Sequence, residues 1–316
     1  MDIQAIINEM KKAVYGKDDV LEKILMCIMA EGHVIMEDKP GVGKTTIAKT
    51  VSKVLGLESK RIQFTSDVMP SDVTGYITYN KSKGTDEFVP GPIFGTNILL
   101  ADEINRASSK CQAALLEVMQ ERQATISSIT KKVEDPFVVI ATMNPYISSL
   151  YGVSVLPQSE LDRFSMALSV GYPEKKDEIG LLASRDKGDP VETLKTVTSR
   201  EEILAYRKEI DDVYVDLAIY NFVYDLACAT RNHPDIEVGI SPRGELVLIR
   251  MAKAAAYFAG RDYVIPDDIR KVFVDVTVHR LSMKEQEMTV ISERRVGLLN
   301  SIMKNVYEPS LYRSMK

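Results

Sequence analysis

The residues in this chain best suited to chemistry form a glycine-rich turn that ends in Lys44-Thr45. Such a turn before a helix predicts a P-loop. Its backbone N–H groups surround the β and γ phosphates of a nucleotide, Lys44 adds positive charge, and the Thr45 hydroxyl ligates Mg²⁺. The strict pattern has glycine where this chain has Asp38, and an ordinary loop with an exposed lysine is the alternative interpretation. The predicted nucleotide-binding residues are Pro40, Gly41, Val42, Gly43, Lys44, Thr45 and Thr46.

The flanking residues fit the order of strand, loop and helix that a P-loop requires. Residues 33–37 are predicted as a short buried strand and residues 46–55 as the following helix. Gly56 supplies the stop, because glycine adopts the left-handed conformation that commonly ends helices.

A second pattern is the apolar run at residues 97–101, which ends in Asp102 and Glu103. A central parallel strand would carry these carboxylates to the sheet edge where ligands of open α/β folds bind. In a P-loop enzyme, Asp102 would orient the Mg²⁺ shell and Glu103 would activate the attacking water. A strand that ends in a solvated acidic turn is the alternative.

Composition sets the class of protein. The 316 residues, 45% hydrophobic and 27% charged, predict an ordinary globular chain of about two domains. The net charge of −5 gives no basic footprint for nucleic acid, and no apolar run is long enough to cross a membrane or to act as a signal peptide. We therefore expect a cytoplasmic protein. The widely spaced Cys27, Cys111 and Cys228 are predicted as reduced core residues.

Strands and helices alternate in the first half of the chain. Apolar strand candidates recur at residues 61–65, 97–101, 137–141 and 166–170, with a helical pattern at 108–120 between two of them. This rhythm predicts an α/β fold with a parallel sheet and helices on both faces.

After Pro173 we expect no further strands. Helical patterns follow at residues 199–210, 213–231, 242–259 and 266–280, the first opened by a capping box between Ser199 and Glu202. Residues 184–198 are the predicted linker. The expected domains are 1–185, α/β, and 186–316, all-helical.

Five segments together resemble the MoxR family of AAA+ ATPases in order and spacing, over nearly the whole chain. They are residues 37–45 (EDKPGVGKT), 99–107 (LLADEINRA), 141–145 (ATMNP), 161–164 (LDRF) and 241–243 (SPR). The resemblance implies a P-loop NTPase fold with a smaller all-α lid domain, ATP and Mg²⁺ as cofactors, and a homo-oligomeric ring that is expected to be hexameric. It also implies chaperone-like remodelling or maturation of partner proteins, often ones with a von Willebrand factor A domain.

The resemblance also assigns roles to single residues. Asn144 is similar to the sensor 1 residue, which contacts the attacking water or the γ phosphate, although an Asn-Pro turn is the local alternative. Arg163 resembles the arginine finger, which enters the neighbouring subunit's site. A surface ion pair with Asp162 or Glu160 is the alternative for Arg163.

Arg243 has a local argument of its own. Ser241 as N-cap and Pro242 at the first helical position would place this cation in the first helical turn, where the helix dipole disfavours it, so an anion is expected nearby. Arg243 is similar to the sensor 2 arginine, by which the lid touches the γ phosphate. The family places the adenine at Val14, Tyr15 and Gly16, which locally read only as the end of a helix.

Two hairpins are predicted, at residues 76–90 and 124–133. The family resemblance makes the first one the helix 2 insert. Tyr76, Tyr79 and Phe88 would face a pore or partner, or else pack onto their own domain. Arg106 would act across a subunit interface or support the nucleotide site.

The function predicted on these grounds is ATP hydrolysis, with Glu103, Asn144, Arg163 and Arg243 as catalytic residues. Thr45 and Asp102 are the metal ligands. A nucleic-acid motor is disfavoured by the acidic charge and by the lack of an appended DNA-binding domain. A non-turning nucleotide-dependent scaffold is disfavoured by the intact catalytic set. The expected partner is a protein, without nucleic acid and without membrane insertion.

Overall fold

The computed structural model describes residues 3–39, 41–127, 129–144, 156–186, 188–285, 287 and 289–309. In chain order the strands are β1 (Val34–Glu37), β2 (Ser59–Gln63), β3 (Gly75–Asn80), β4 (Thr85–Pro90), β5 (Ile98–Asp102), β6 (Gln123–Ile126), β7 (Ile129–Lys132), β8 (Val138–Met143), β9 (Met166–Leu168), β10 (Ile236–Val238) and β11 (Ser282–Met283). The helices are α1 (Ile3–Met10), α2 (Asp18–Met29), α3 (Lys44–Leu55), α4 (Pro70–Thr74), α5 (Ser109–Glu121), α6 (Gln158–Leu161), α7 (Lys175–Arg185), α8 (Arg200–Asp211), α9 (Leu217–Arg231), α10 (Pro242–Phe258), α11 (Pro266–Thr277) and α12 (Glu293–Asn305).

The central sheet has five parallel strands in the order β2-β5-β8-β1-β9. The three inner strands β5, β8 and β1 are buried along their whole length, as expected for continuous apolar runs covered on both faces by helices. The predicted parallel sheet is therefore confirmed. All five predicted strands contribute to it, with ends that differ by at most two residues.

The helices after residue 199 largely match their predicted patterns. The capping box is present, since Ser199 Oγ accepts from the N–H of Glu202 and the Glu202 carboxylate accepts from the N–H of Ser199. α9 begins at Leu217 instead of residue 213, because Asp216 caps the N–H of Ala218 at 2.8 Å. α11 ends at Thr277, and a 3₁₀ turn covers residues 278–280.

The expectation that strands stop after Pro173 is wrong. β10 and β11 form a two-stranded antiparallel ribbon among the C-terminal helices, with Ile236 opposite Met283. Both side chains are buried. The strands are three and two residues long, too short to produce an alternating pattern in the sequence.

Both predicted hairpins are present outside the main sheet, as the antiparallel pairs β3-β4 and β6-β7. Tyr76 and Tyr79 are exposed on the first hairpin. Phe88 instead packs edge-on against Phe94, and the Lys131 ammonium lies 4.5 Å from its ring centroid. The two tyrosines, but not Phe88, are therefore available to a partner.

None of the described helices combines the length and the apolar character that a membrane crossing requires. Cys27 and Cys111 are buried free thiols and Cys228 is half-buried. The domain boundary at 185/186 stays a prediction.

Candidate functional site

The sheet brings the predicted chemistry to one edge. β1 and β5 both pair with β8, with Glu37 opposite Met143 and Ala101 opposite Ala141. Since these strands are parallel, the residues that follow them, namely the P-loop, the Asp102-Glu103 pair and Asn144, lie at the same carboxyl edge.

Backbone geometry in the P-loop leaves room for an anion. Gly41 and Gly43 have φ values of 85° and 92°, a region that favours glycine, and a Cβ added at either would meet no atom within 4 Å. α3 begins at Lys44, two residues earlier than predicted, and its N-cap Gly43 has no side chain to occupy the first N–H groups. Such a helix start binds phosphate well. Pro40 lies outside the described residues.

The Lys44 ammonium is held by two backbone carbonyls, Asp38 O at 2.6 Å and Met143 O at 3.2 Å. Burial lowers the pKa of Lys44, and the nearby carboxylates, with Asp38 the largest contribution, oppose this effect. The ammonium thus lies between the ends of β1 and β8.

Asp38, the departure from the strict P-loop pattern, anchors the loop. Its Oδ1 accepts from the N–H of Lys39 at 2.7 Å, and its Oδ2 accepts from Ser169 Oγ at 3.0 Å and from the N–H of Gly171 at 2.5 Å. Asp38 is not among the residues with positive φ, so glycine is not required there. The carboxylate ties the P-loop to the segment after β9.

A second anchor is Glu37, the last residue of β1, which is buried. Its two carboxylate oxygens accept from the N–H groups of Val290, at 3.0 Å, and Ile291, at 2.5 Å. Burial raises the pKa of Glu37, and these two donors oppose the rise. The strand below the P-loop is thereby bonded to the segment before α12.

Asp102 is buried and fully engaged. Thr142 Oγ donates to Oδ1 at 2.5 Å, and Arg61 donates to Oδ2 from Nη2 at 2.6 Å and from Nε at 3.1 Å. Sequence reasoning missed both partners. They lie on the strands that flank β5, and only the sheet order reveals them.

Glu103 adopts φ 56°, an uncommon conformation for a residue other than glycine. Its N–H donates to Thr142 Oγ at 2.9 Å, and its Oε2 accepts from Gln63 Nε2 at 3.0 Å and Arg106 Nη1 at 2.8 Å. Arg106, whose role the sequence left open, therefore contacts Glu103 of its own chain.

Asn144 is buried directly after β8. Its backbone oxygen accepts from Asn105 Nδ2 at 3.3 Å. Asn105 in turn belongs to the 3₁₀ turn that follows Glu103, so the ends of β8 and β5 are linked.

Arg163 lines a different cavity, of about 290 Å³, formed with α5 and Glu160. Its Nε is buried and has no hydrogen-bond partner among the described residues. Asp162 pairs with Arg280 at 2.9 Å. The alternative in which Asp162 forms a surface ion pair with Arg163 therefore loses its carboxylate.

Arg243 is exposed in the first turn of α10. The predicted cap is present, since Ser241 Oγ accepts from the N–H of Gly244 at 3.2 Å and Pro242 opens the helix.

A cavity of about 370 Å³ joins the P-loop to the segment predicted to hold adenine. Gly16, which follows Tyr15 in that segment, has φ 65°, and a Cβ there would lie 2.4 Å from Asp177 Oδ2, so glycine is favoured at this position. A larger cavity of about 900 Å³ involves α1, α2 and the C-terminal helices and touches none of the P-loop residues. The smaller cavity is lined by Val14, Tyr15, Lys17, Gly41, Val42, Gly43, Thr46, Tyr172, Leu181 and Leu182, among others.

Comparison with known proteins adds independent support for the α/β domain and its helical lid. A sequence model of the ATPase family associated with various cellular activities (AAA) matches residues 33–166, and one of the AAA lid domain matches residues 228–296. The uncharacterized protein YeaC of Bacillus subtilis is 42% identical over 88% of this chain and 86% of its own length. Chaperone MoxR1 of Mycobacterium tuberculosis is 36% identical over 88% of this chain and 75% of its own length.

A crystal structure of a proposed ATPase from Cytophaga hutchinsonii superposes with a TM-score of 0.88 at 35% identity, and covers 98% of this chain and 95% of that one. The fold class expected from the sequence, a parallel α/β sheet followed by a helical lid, is thus confirmed. Since the relatives that carry the MoxR name match along most of its length, the chain belongs to the MoxR family of AAA+ ATPases.

Proposed function

We propose that the protein hydrolyses ATP to ADP and phosphate and uses the turnover to remodel partner proteins. The observation that carries the proposal is the common sheet edge at which the open P-loop, the Lys44 ammonium and the Asp102-Glu103 pair meet. An acidic strand end beside a phosphate loop is the arrangement that phosphoryl transfer uses.

Nucleotide binding is assigned to the P-loop and the adjoining cavity of about 370 Å³. The phosphates would lie against the backbone of residues 41–46, where Lys44 would exchange its carbonyl partners for phosphate oxygens. The base would occupy the cavity beside Val14 and Tyr15, whose other wall is supplied by Tyr172 and Leu182.

Thr45 and Asp102 are the residues that would hold Mg²⁺. A hydroxyl and a carboxylate are oxygen ligands of the kind this ion prefers, and bound Mg²⁺ would neutralise charge on the phosphates. Asp102 Oδ2 at present accepts from Arg61, so this carboxylate needs a shift of Arg61 before it can serve the ion.

Glu103 is assigned as the general base that accepts a proton from the attacking water. Gln63 and Arg106 both donate to its Oε2, which fixes the orientation of the carboxylate. Asn144, at the end of the next strand, would orient the water or the γ phosphate.

The two remaining arginines would act from different subunits. Arg243, at the start of a lid helix, would touch the γ phosphate of its own chain, whereas Arg163 would stabilise the transition state in a neighbouring copy. Its position in a separate cavity beside α5 supports action outside its own site. A closed ring, which we propose to be a hexamer, would place an Arg163 at each site.

The work done on partners is proposed from the relatives and from the first hairpin. One relative is named a chaperone. Tyr76 and Tyr79 are 50% and 61% exposed on β3, and such aromatic side chains provide contact area at low entropic cost. A protein with a von Willebrand factor A domain is the proposed kind of partner, and the cytoplasm is the proposed location.

The experiment that tests the proposal is release of phosphate from ATP by the purified protein with and without Mg²⁺. Lys44→Ala should abolish both ATP binding and phosphate release. Lys49→Ala, an exposed lysine later in α3, is the matched control and should retain both. Absence of Mg²⁺-dependent release by the assembled parent protein would contradict the proposed function.

A further inference from the structure

Arg280, a buried arginine after α11, holds the backbone on both sides of Arg163. Its side chain is 1% exposed. Nε donates to Asp162 Oδ1 at 2.9 Å and Nη2 donates to Phe164 O at 2.5 Å, while Nη1 donates to Ser165 O at 3.2 Å. The planar guanidinium thus fixes the loop through several bonds at once, which a lysine could not do.

The same side chain also lies against the turn that carries Arg243. A Cβ added to Gly244 would lie 3.0 Å from Arg280 Cδ, so the first turn of α10 approaches the arginine closely. Asp162 Oδ2 lies 3.5 Å from Ser241 Oγ, the hydroxyl that caps this helix. Arg243 is located between these two contact points.

The charge on Arg280 makes it costly to remove only one partner of this ion pair. Burial lowers the pKa of Arg280 to about 10, and Asp162 opposes the shift, so the guanidinium stays charged at neutral pH. A buried charge that loses its partner is strongly unfavourable. The Asp162-Arg280 pair is therefore expected to persist, and the two segments that it contacts are expected to move together.

We propose that Arg280, through Asp162, is a positioning residue that fixes Arg163 relative to Arg243. The inference rests on the proposed ATPase function and deepens it. Arg243 would follow the nucleotide of its own subunit, and Arg163 would serve the site of the next one. Closure of the lid on one nucleotide would then, through one buried ion pair, set the position of the Arg163 that the subunit offers to its neighbour.

Asp162→Asn is the informative variant, because it removes the carboxylate charge but keeps the side-chain volume and the backbone carbonyl. The matched control is Glu287→Gln. Glu287 pairs with Arg295 at 2.8 Å, another buried arginine that also donates to backbone carbonyls, but this pair touches neither segment. Both variants lose one buried ion pair and should lose similar thermal stability.

The first readout is amide hydrogen exchange, which does not depend on turnover. Asp162→Asn should accelerate exchange about tenfold both at residues 163–165 and at residues 244–245, since both segments lose the same anchor. Glu287→Gln should leave both unchanged. Acceleration in only one segment, or in neither, would contradict the inference, whether or not the parent protein hydrolyses ATP.

The second readout is turnover in mixed assemblies. Asp162→Asn should lower kcat about 10²-fold, the loss that a misplacement of ~1 Å can cause, and should weaken binding of ATP more than of ADP. It should gain no activity when mixed with Glu103→Gln subunits, which offer intact Arg163, or with Arg163→Ala subunits, which offer intact sites. Recovery in either mixture would mean that only one of the two arginines is positioned by the pair. A parent protein without turnover would instead contradict the proposed function.

Discussion

Arg61 Nη2 lies 2.6 Å from Asp102 Oδ2, so the carboxylate expected to hold Mg²⁺ already has a cation beside it. The two residues reach each other from neighbouring strands, β2 and β5. The guanidinium and the metal ion would compete for the same oxygen. Binding of Mg²⁺-ATP is therefore expected to displace Arg61, whose side chain is 48% exposed.

The first prediction concerns this competition. Arg61→Gln should lower the Mg²⁺ concentration that half-saturates the ADP-bound protein by about threefold, a modest factor because half-exposed pairs contribute little. Calorimetric titration of Mg²⁺ measures it directly. Lys60→Gln, a neighbour on β2 that donates to Phe94 O, is the control. A higher Mg²⁺ requirement in Arg61→Gln would show that Arg61 orients Asp102 for the ion.

The second prediction separates binding from chemistry at Glu103. Glu103→Gln should bind Mg²⁺-ATP like the parent protein but lose roughly 10²–10⁴-fold in turnover, because the amide cannot accept the proton from water. Single-turnover phosphate release and fluorescent nucleotide binding measure the two steps. Comparable hydrolysis by the two proteins would remove Glu103 from the role of base.

The third prediction is that Arg163 acts between subunits. Arg163→Ala and Glu103→Gln should each be inactive, yet a mixture with subunit exchange should recover turnover at interfaces that pair an intact Glu103 with an intact Arg163. Dilution of the parent protein should lower its specific activity. Failure to recover despite demonstrated exchange would argue against a finger that acts in trans.

The fourth prediction concerns the β3-β4 hairpin. Tyr76→Ser with Tyr79→Ser should leave basal ATPase within about twofold but weaken capture of a protein partner by the ATP-locked Glu103→Gln form, because exposed aromatics often dominate contacts. Phe88→Ala should act differently. It removes the packing with Phe94 and should lower the melting temperature. Strong stimulation of hydrolysis by DNA at physiological salt, without protein capture, would favour a nucleic-acid motor.

The fifth prediction is a loss of stability on acidification that originates at His33. Burial and, to a lesser extent, the nearby Arg122 lower the pKa of His33 to about 3, whereas the hydrogen bond to Met119 O opposes the shift. The other ring nitrogen, Nδ1, accepts from the N–H of Val139 at 3.0 Å. The unfolded chain takes up a proton near pH 6.5, whereas the folded chain does not until much lower pH. Stability is therefore complete above about pH 6.5 and falls between pH 6.5 and 3.

Urea unfolding at pH 7 and pH 5.5 measures the contribution of His33. His33→Gln, whose amide offers a donor and an acceptor, should reduce the loss of unfolding free energy between these pH values by about 1 kcal/mol. His233→Gln, at a surface turn, leaves the buried imidazoles of His33 and His279 in place and is the control. If His33→Gln loses as much unfolding free energy between pH 7 and pH 5.5 as the parent protein does, the assignment to His33 is contradicted.

The main sheet and the P-loop could be predicted because their signals are local. Buried parallel strands appear as continuous apolar runs, and the P-loop is a contiguous motif. The surroundings of Asp102 and Glu103 could not be predicted. Arg61, Gln63 and Thr142 meet these carboxylates through strand order, which no local pattern encodes.

Other elements escaped prediction for different reasons. α7 exposes Ile179 and Leu182, so its apolar residues do not form a buried stripe, and Gly180 lies inside it. Part of the predicted linker therefore belongs to a helix. Phe88 could not be separated from Tyr76 and Tyr79 by residue type, because all three aromatics lie on one hairpin and only packing distinguishes them.

The bonds from Glu37 to the N–H groups of Val290 and Ile291 join positions 253 and 254 residues apart. During synthesis the phosphate loop leaves the ribosome early, but the strand below it receives these donors only after about nine-tenths of these 316 residues have been made. A nascent chain would thus leave the Glu37 carboxylate without these two donors until Val290 and Ile291 have been made. We expect ATP to bind late in biogenesis, once β1 and the segment before α12 have met.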